Sequence, residues 1–183
     1  MSTIPLQKMA NPTNIGILLA IMLVFNLVLL PGLIPVGNAP SIKPLDLQFA
    51  YTPQMAYESL HSYSDAIRKS YIIGEMTVDI VYPLFYTLFL SFSIFLIYKH
   101  KKDNNALAIQ FALVPYIILV SDLLENTGIV TMLAKYPQEL ISIAWGTSYF
   151  STLKWVTVAF SLLLIVIGLL INLRRKLITK IKH

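Results

Sequence analysis

The stretch ALAIQFALVPYIILVSDLLENTGIVTMLA, residues 106–134, decides how the chain is read. It is apolar enough to cross a bilayer, for which about 20 such residues suffice. Yet Asp122, Glu125 and Asn126 interrupt it at the i, i+3, i+4 spacing that sets three polar groups on one side of a helix. Hydrocarbon penalises such an edge, so the helix is expected to turn it toward other helices.

The rest of the 183 residues repeat that setting. The chain is 56% hydrophobic and 13% charged, with a mean hydropathy of +0.70, which is more apolar surface than a soluble domain of this size can bury. There is no cysteine, which removes disulfides, thiol redox chemistry, iron–sulfur clusters and Cys-based zinc sites. The net charge of +5 arises from basic residues beside apolar runs. There they meet lipid headgroups, and no nucleic-acid partner is expected.

Four segments reach spanning length, at about 14–34, 76–98, 106–134 and 151–173. The first is too long for the apolar core of an ordinary signal peptide, and Pro40 follows its one small-residue cleavage site, so it reads as an uncleaved span. Lys8, Lys99, Lys101, Lys102 and the tail basic residues would lie on one side, nine in all. The other two loops hold four: Lys43, Arg68, Lys69 and Lys135. This bias predicts both termini in the cytoplasm, and the expected location is the plasma (inner) membrane.

The first long loop starts with an irregular, Pro- and Gly-rich part. It then offers Thr52 as an N-cap and Pro53 as the first residue of a helix over about 53–72. Ala56, Leu60, Tyr63, Ile67 and Tyr71 share one side of this amphipathic helix, while Glu58, Ser62, Asp65 and Lys69 share another. The expected fold is therefore all-α, a single domain over residues 1–183: a four-transmembrane-helix bundle with an added amphipathic helix over its outer end.

Counting about twenty residues outward from the cytoplasmic ends brings Asp79, Glu125, Asn126 and Lys154 to similar depth, near the outer rim. Asp79, Tyr82, Pro83 and Tyr86 share one face of the second span, and Lys154, Thr157 and Ser161 form a milder stripe on the fourth. Asn26 interrupts the first. If Asp79, Asp122 and Glu125 all ionise, Lys154 leaves two negative charges over. A proton on one carboxyl, His61 or Arg68 from the loop helix, a bound cation or water would compensate. Trp155 could line a pocket beside Lys154, and Trp145, Tyr149 and Tyr136 suit an aromatic belt. Pro83 and Pro115 are expected to kink their helices and open space between them.

A Ser-His-Asp arrangement, a P-loop, a dinucleotide-binding glycine pattern and HExxH are all missing. The acids lack a recognised metal-ligand spacing, so neither a metal nor a cofactor is expected. Four spans, a long first outer loop carrying LDLQ at 45–48, acids in the second and third spans and a proline in each resemble the emopamil-binding and sigma-2 receptor family. That resemblance implies a sterol-sized pocket lined by acidic and aromatic residues and, in some members, isomerisation through a protonated, carbocationic intermediate.

The leading expectation is a polar pocket at the outer end that binds or modifies a lipid or isoprenoid-like amphipathic molecule. Asp122 or Glu125 would carry the proton if there is chemistry. Asp79, Tyr82, Tyr86, Asn126, Lys154, Trp155, His61 and Arg68 would bind. The competing expectation is a structural or accessory subunit, as a homo-oligomer or within a larger membrane complex, whose acids only fasten helices. A transporter is disfavoured by the small number of spans and the lack of an inverted repeat.

Overall fold

The computed structural model describes residues 5–29, 44–99 and 105–181. Those residues are helical apart from short connections, and four helices are long and apolar enough to cross a membrane. The protein is accordingly an all-α, multi-pass membrane protein. After a short helix α1 (Pro5–Met9), α2 (Pro12–Val24) begins where Asn11 Oδ1 accepts from Asn14 N at 2.9 Å with Pro12 at the first position. It widens into a π-helical turn at Phe25–Leu29. The expected end of this span, residues 30–34, lies outside the described residues, as do Pro40 and the irregular start of the loop.

The loop helix is shorter than its pattern suggests. The apolar face predicts one helix over 53–72, followed by a separate span from 76. The chain instead forms α3 (Pro53–Ser62), breaks at Tyr63 and Ser64, and runs without interruption through α4 (Asp65–Tyr98). Two caps set the break. Thr52 Oγ1 accepts from Met55 N at 3.2 Å to start α3, as expected, and Ser64 Oγ accepts from Ile67 N at 3.3 Å to start α4. The guanidinium of Arg68 donates to Leu60 O at 3.0 Å, which also accepts from Tyr63 N at 3.3 Å, and to Tyr63 O just past the end of α3.

The third span is likewise two helices, α5 (Ala106–Leu113) and α6 (Pro115–Lys135), because Pro115 has no N–H to continue the ladder. Ser91 Oγ donates to the nearby Ala112 O at 2.7 Å. The last helix, α7 (Ile141–Ile181), is 41 residues long and far exceeds the expected 151–173. At 1.5 Å per residue it extends about 60 Å, roughly twice the hydrocarbon thickness.

Helices α4, α6 and α7 pack on one another, whereas α2 leans chiefly on α4 and buries only Leu18. Two apolar clusters result. At the loop end Leu45, Tyr57, Leu60, Tyr71, Ile129 and Met132 come together. At the opposite end Phe92, Phe95, Ala108, Ala112 and Leu164 do so. The buried polar residues of α4, α6 and α7 lie between these clusters, so the fold holds the site from both ends.

Candidate functional site

The site begins with a missing N–H. Pro83 sits inside α4 and cannot donate to Asp79 O, four residues back. Asn126 of α6 supplies the donor, its Nδ2 reaching that carbonyl at 2.7 Å. This fixes the amide orientation, since a carbonyl can only accept. A proline on one helix and an asparagine on the next thus lock α4 to α6 at one level.

Within one turn of Asn126 along α6, Asp122 and Glu125 meet Lys154 of α7. The ammonium Nζ lies 2.6 Å from Glu125 Oε2, 3.0 Å from Asp122 Oδ1 and 2.9 Å from the backbone oxygen of Asp46. Tyr86 of α4 donates to the other oxygen of Asp122. Lys154 and Asp122 are each 7% exposed and Glu125 is 0% exposed. A buried pair persists when its charges are met by further donors and acceptors, and four elements contribute them here.

The fourth contributor is a strap, residues 44–51, laid across α7. Its 3₁₀ turn, Leu45–Leu47, drives Leu45 into the loop-end core. Ser151 Oγ donates to Gln48 O at 2.6 Å, Thr152 Oγ1 to Phe49 O at 3.2 Å, and Tyr51 N to Ser148 Oγ at 3.0 Å. Hydroxyls at successive turns of α7 thereby satisfy a backbone with no ladder of its own. Tyr71 OH accepts from Leu45 N at 2.9 Å and donates to Asp46 Oδ1 at 2.5 Å. Burial pushes the Asp46 carboxyl above its ordinary 3.8, opposed by the Tyr71 hydrogen bond and the Lys154 charge. Burial likewise raises the phenols of Tyr51 and Tyr63.

Beneath the strap lies a cavity of about 650 Å³. Asp46, Asp79, Asp122, Asn126 and Lys154 give it one polar end, while Met22, Phe89, Leu90, Val158 and Leu162 give it apolar walls. Helix α2 contributes Met22 to one side, and the turn that extends it contributes Asn26, whose Nδ2 donates to Tyr82 OH at 2.7 Å. Phe25 stacks on Tyr82 with ring centroids 5.4 Å apart. The cavity is thus walled by the least buried of the four spans.

The structure brings Asp79, Tyr82, Tyr86, Asp122, Asn126, Lys154 and Trp155 to this cavity. Trp155 also places its ring 5.5 Å from the Lys154 ammonium. Glu125 stands behind Lys154, outside the cavity walls. His61 and Arg68 do not join the site. His61 Nδ1 is 2.8 Å from Tyr136 OH and Nε2 is 3.5 Å from Glu139. Arg68 pairs with Asp65 and lies 4.0 Å over the Tyr136 ring. Both residues fasten the loop helices to the start of the α6–α7 connection.

Two acids at the site lie outside the expected set. Glu75 is one turn before Asp79 on the same face of α4, and that i, i+4 spacing was its available signal. Asp46 had only its place in LDLQ, because a contact between a loop backbone and a distant lysine leaves no periodic trace. Among the described residues, no three His, Cys, Asp or Glu side chains converge as a metal-ligand set. Compared with protein-family models, curated proteins and solved structures, the chain finds no match.

Proposed function

We propose that this membrane protein binds an amphipathic, lipid- or isoprenoid-like molecule in the cavity between α2, α4 and α7. The observation that carries this reading is the cavity itself, about 650 Å³ with a charged end and apolar walls. Ligand pockets commonly measure about 300–1,000 Å³, with few polar groups set among apolar ones. The headgroup would meet Asp79, Asp122 and Lys154, and the chain would lie along Met22, Phe89 and Leu162. Helix α2, in the least buried of the four spans, is the side from which a molecule in the bilayer would enter.

The basic bias of the loops favours both termini in the cytoplasm and the polar end of the cavity on the opposite side. Any acid–base chemistry would involve Asp122, with Glu125 behind Lys154 as its reserve. Asp79 is the second carboxyl on the cavity wall. The emopamil-binding resemblance agrees with a buried amphipathic ligand beside acids and aromatic rings.

Native mass spectrometry of protein extracted gently from its own membrane tests this reading, with Val158→Trp as the comparison. That variant fills the apolar wall and leaves every charge in place. A discrete adduct on the wild type, lost from the folded variant, is expected. An adduct that survives in Val158→Trp would move the ligand elsewhere. A bare wild type would favour a structural or accessory subunit, a reading supported by one observation: each close partner of Lys154 is a protein oxygen.

A further inference from the structure

Glu75 lies among the acids but shares none of their bonds. It is 1% exposed, and neither carboxyl oxygen has a hydrogen-bond partner among the described residues. Its electrostatic neighbours are Asp46 on the strap, Asp79 one turn further along α4, and Glu125 and Asp122 on α6. Tyr71 stands one turn before it on α4, and Tyr51 approaches from the strap side. The cation on α7, Lys154, is engaged with Glu125 and Asp122. Among the described residues five carboxyls therefore share one ammonium, and Glu75 has no hydrogen bond to it or to any other donor.

We infer that Glu75 is a proton-binding site, its carboxyl holding one proton at neutral pH within the acid cluster. Three considerations converge on a proton as the occupant. A bare carboxylate with no donors is the costliest group to bury, and such groups neutralise instead. A metal cation would need converging ligands, and no set of three among the described residues supplies them. A buried water could donate hydrogen bonds to the oxygens but would leave their charge in place.

The protonated carboxyl presents an O–H to a neighbourhood of carboxylates, with Asp79 the nearest along its own helix. Asp79 Oδ2 is itself buried without a hydrogen-bond partner among the described residues. Asp79 lines the cavity, so a proton on Glu75, one turn away on α4, forms a store behind the cavity wall. This assignment does not depend on a ligand entering the cavity.

The chain has four glutamates, Glu58, Glu75, Glu125 and Glu139, so selective carboxyl-¹³C labelling gives few signals. Solid-state NMR of the protein in bilayers at neutral pH should show one of them at the position of a protonated acid. That signal should be missing from Glu75→Gln, which mimics the neutral acid in shape and should keep the wild-type Tm. Four carboxylate signals would overturn the assignment. So would a protonated signal that survives Glu75→Gln, a signal that moves when Na⁺ and K⁺ are exchanged, or a Gln variant that fails to fold.

Discussion

Pro83 and Asn126 make a pair that neither residue announces alone. The proline removes a donor from α4, and the amide of α6 restores it at Asp79 O. Removing Asn126 by Asn126→Ala should cost roughly 0.6–2 kcal/mol, the range for interhelical hydrogen bonds in membranes and buried acceptors left unpaired. In a Pro83→Ala background the backbone regains an N–H at that position that can reach Asp79 O, and most of that cost should vanish. A double-mutant cycle of unfolding measured in mild detergent reads this coupling directly, and purely additive costs would remove the pairing from consideration.

Lys154 behaves differently because it is a charge. Lys154→Met leaves Asp122 and Glu125 buried without their cation and should lower stability by about 3–5 kcal/mol. Adding Asp122→Asn and Glu125→Gln should restore much of the loss. Recovery of the triple variant, read as Tm, separates the cost of unpaired charge from that of lost packing.

Asp46 sets a pH dependence whose sign follows from its burial. Its folded value lies above the ordinary 3.8, so between those two values the folded chain holds more protons than the unfolded one. Stability therefore falls as pH rises through that window and is highest, for this group, below 3.8. Asp46→Asn keeps an oxygen for Tyr71 OH to donate to and should flatten this part of the pH–stability profile.

At the level of elements, close helix contacts rest on glycine. A Cβ built on Gly128 would overlap Thr147 Oγ1 and fall 3.0 Å from Thr147 Cβ. Thr147 is branched next to its backbone and has little room to yield. Gly128→Ala should thus separate α6 from α7 and destabilise by about 1–3 kcal/mol, whereas Gly146→Ala, with nothing within 4 Å, should not. Comparing the two Tm values checks this.

The helices themselves were legible because hydropathy and length are local properties. Thr52, Pro53 and the polar faces of 79–86 and 122–126 could be read from spacing alone. The break at Tyr63 and Ser64 could not, since the apolar face continues across it and only the Ser64 cap and the Arg68 bonds to α3 carbonyls decide it. The site was half legible for a related reason. Residues that share a helix face reveal one another, while Asp46 comes from a strap 108 positions from its lysine partner.

For the whole molecule, α7 makes the orientation in the membrane testable. The helix outruns the bilayer, so its basic end around Arg174, Arg175 and Lys176 stands clear of the hydrocarbon, where positive charge favours the cytoplasmic side. The opposite end of the bundle carries α3, whose Ser62 is exposed. A chain with no cysteine allows one reporter at a time. In intact cells, Ser62→Cys should react with a membrane-impermeant maleimide, and Lys176→Cys should react only after the cells are opened. The reverse pattern would invert the bundle and bring the polar end of the cavity to the cytoplasm. It would also change which pool of water exchanges protons with the acids around Lys154. Reaction of both sites in intact cells would mean that the chain inserts in two directions.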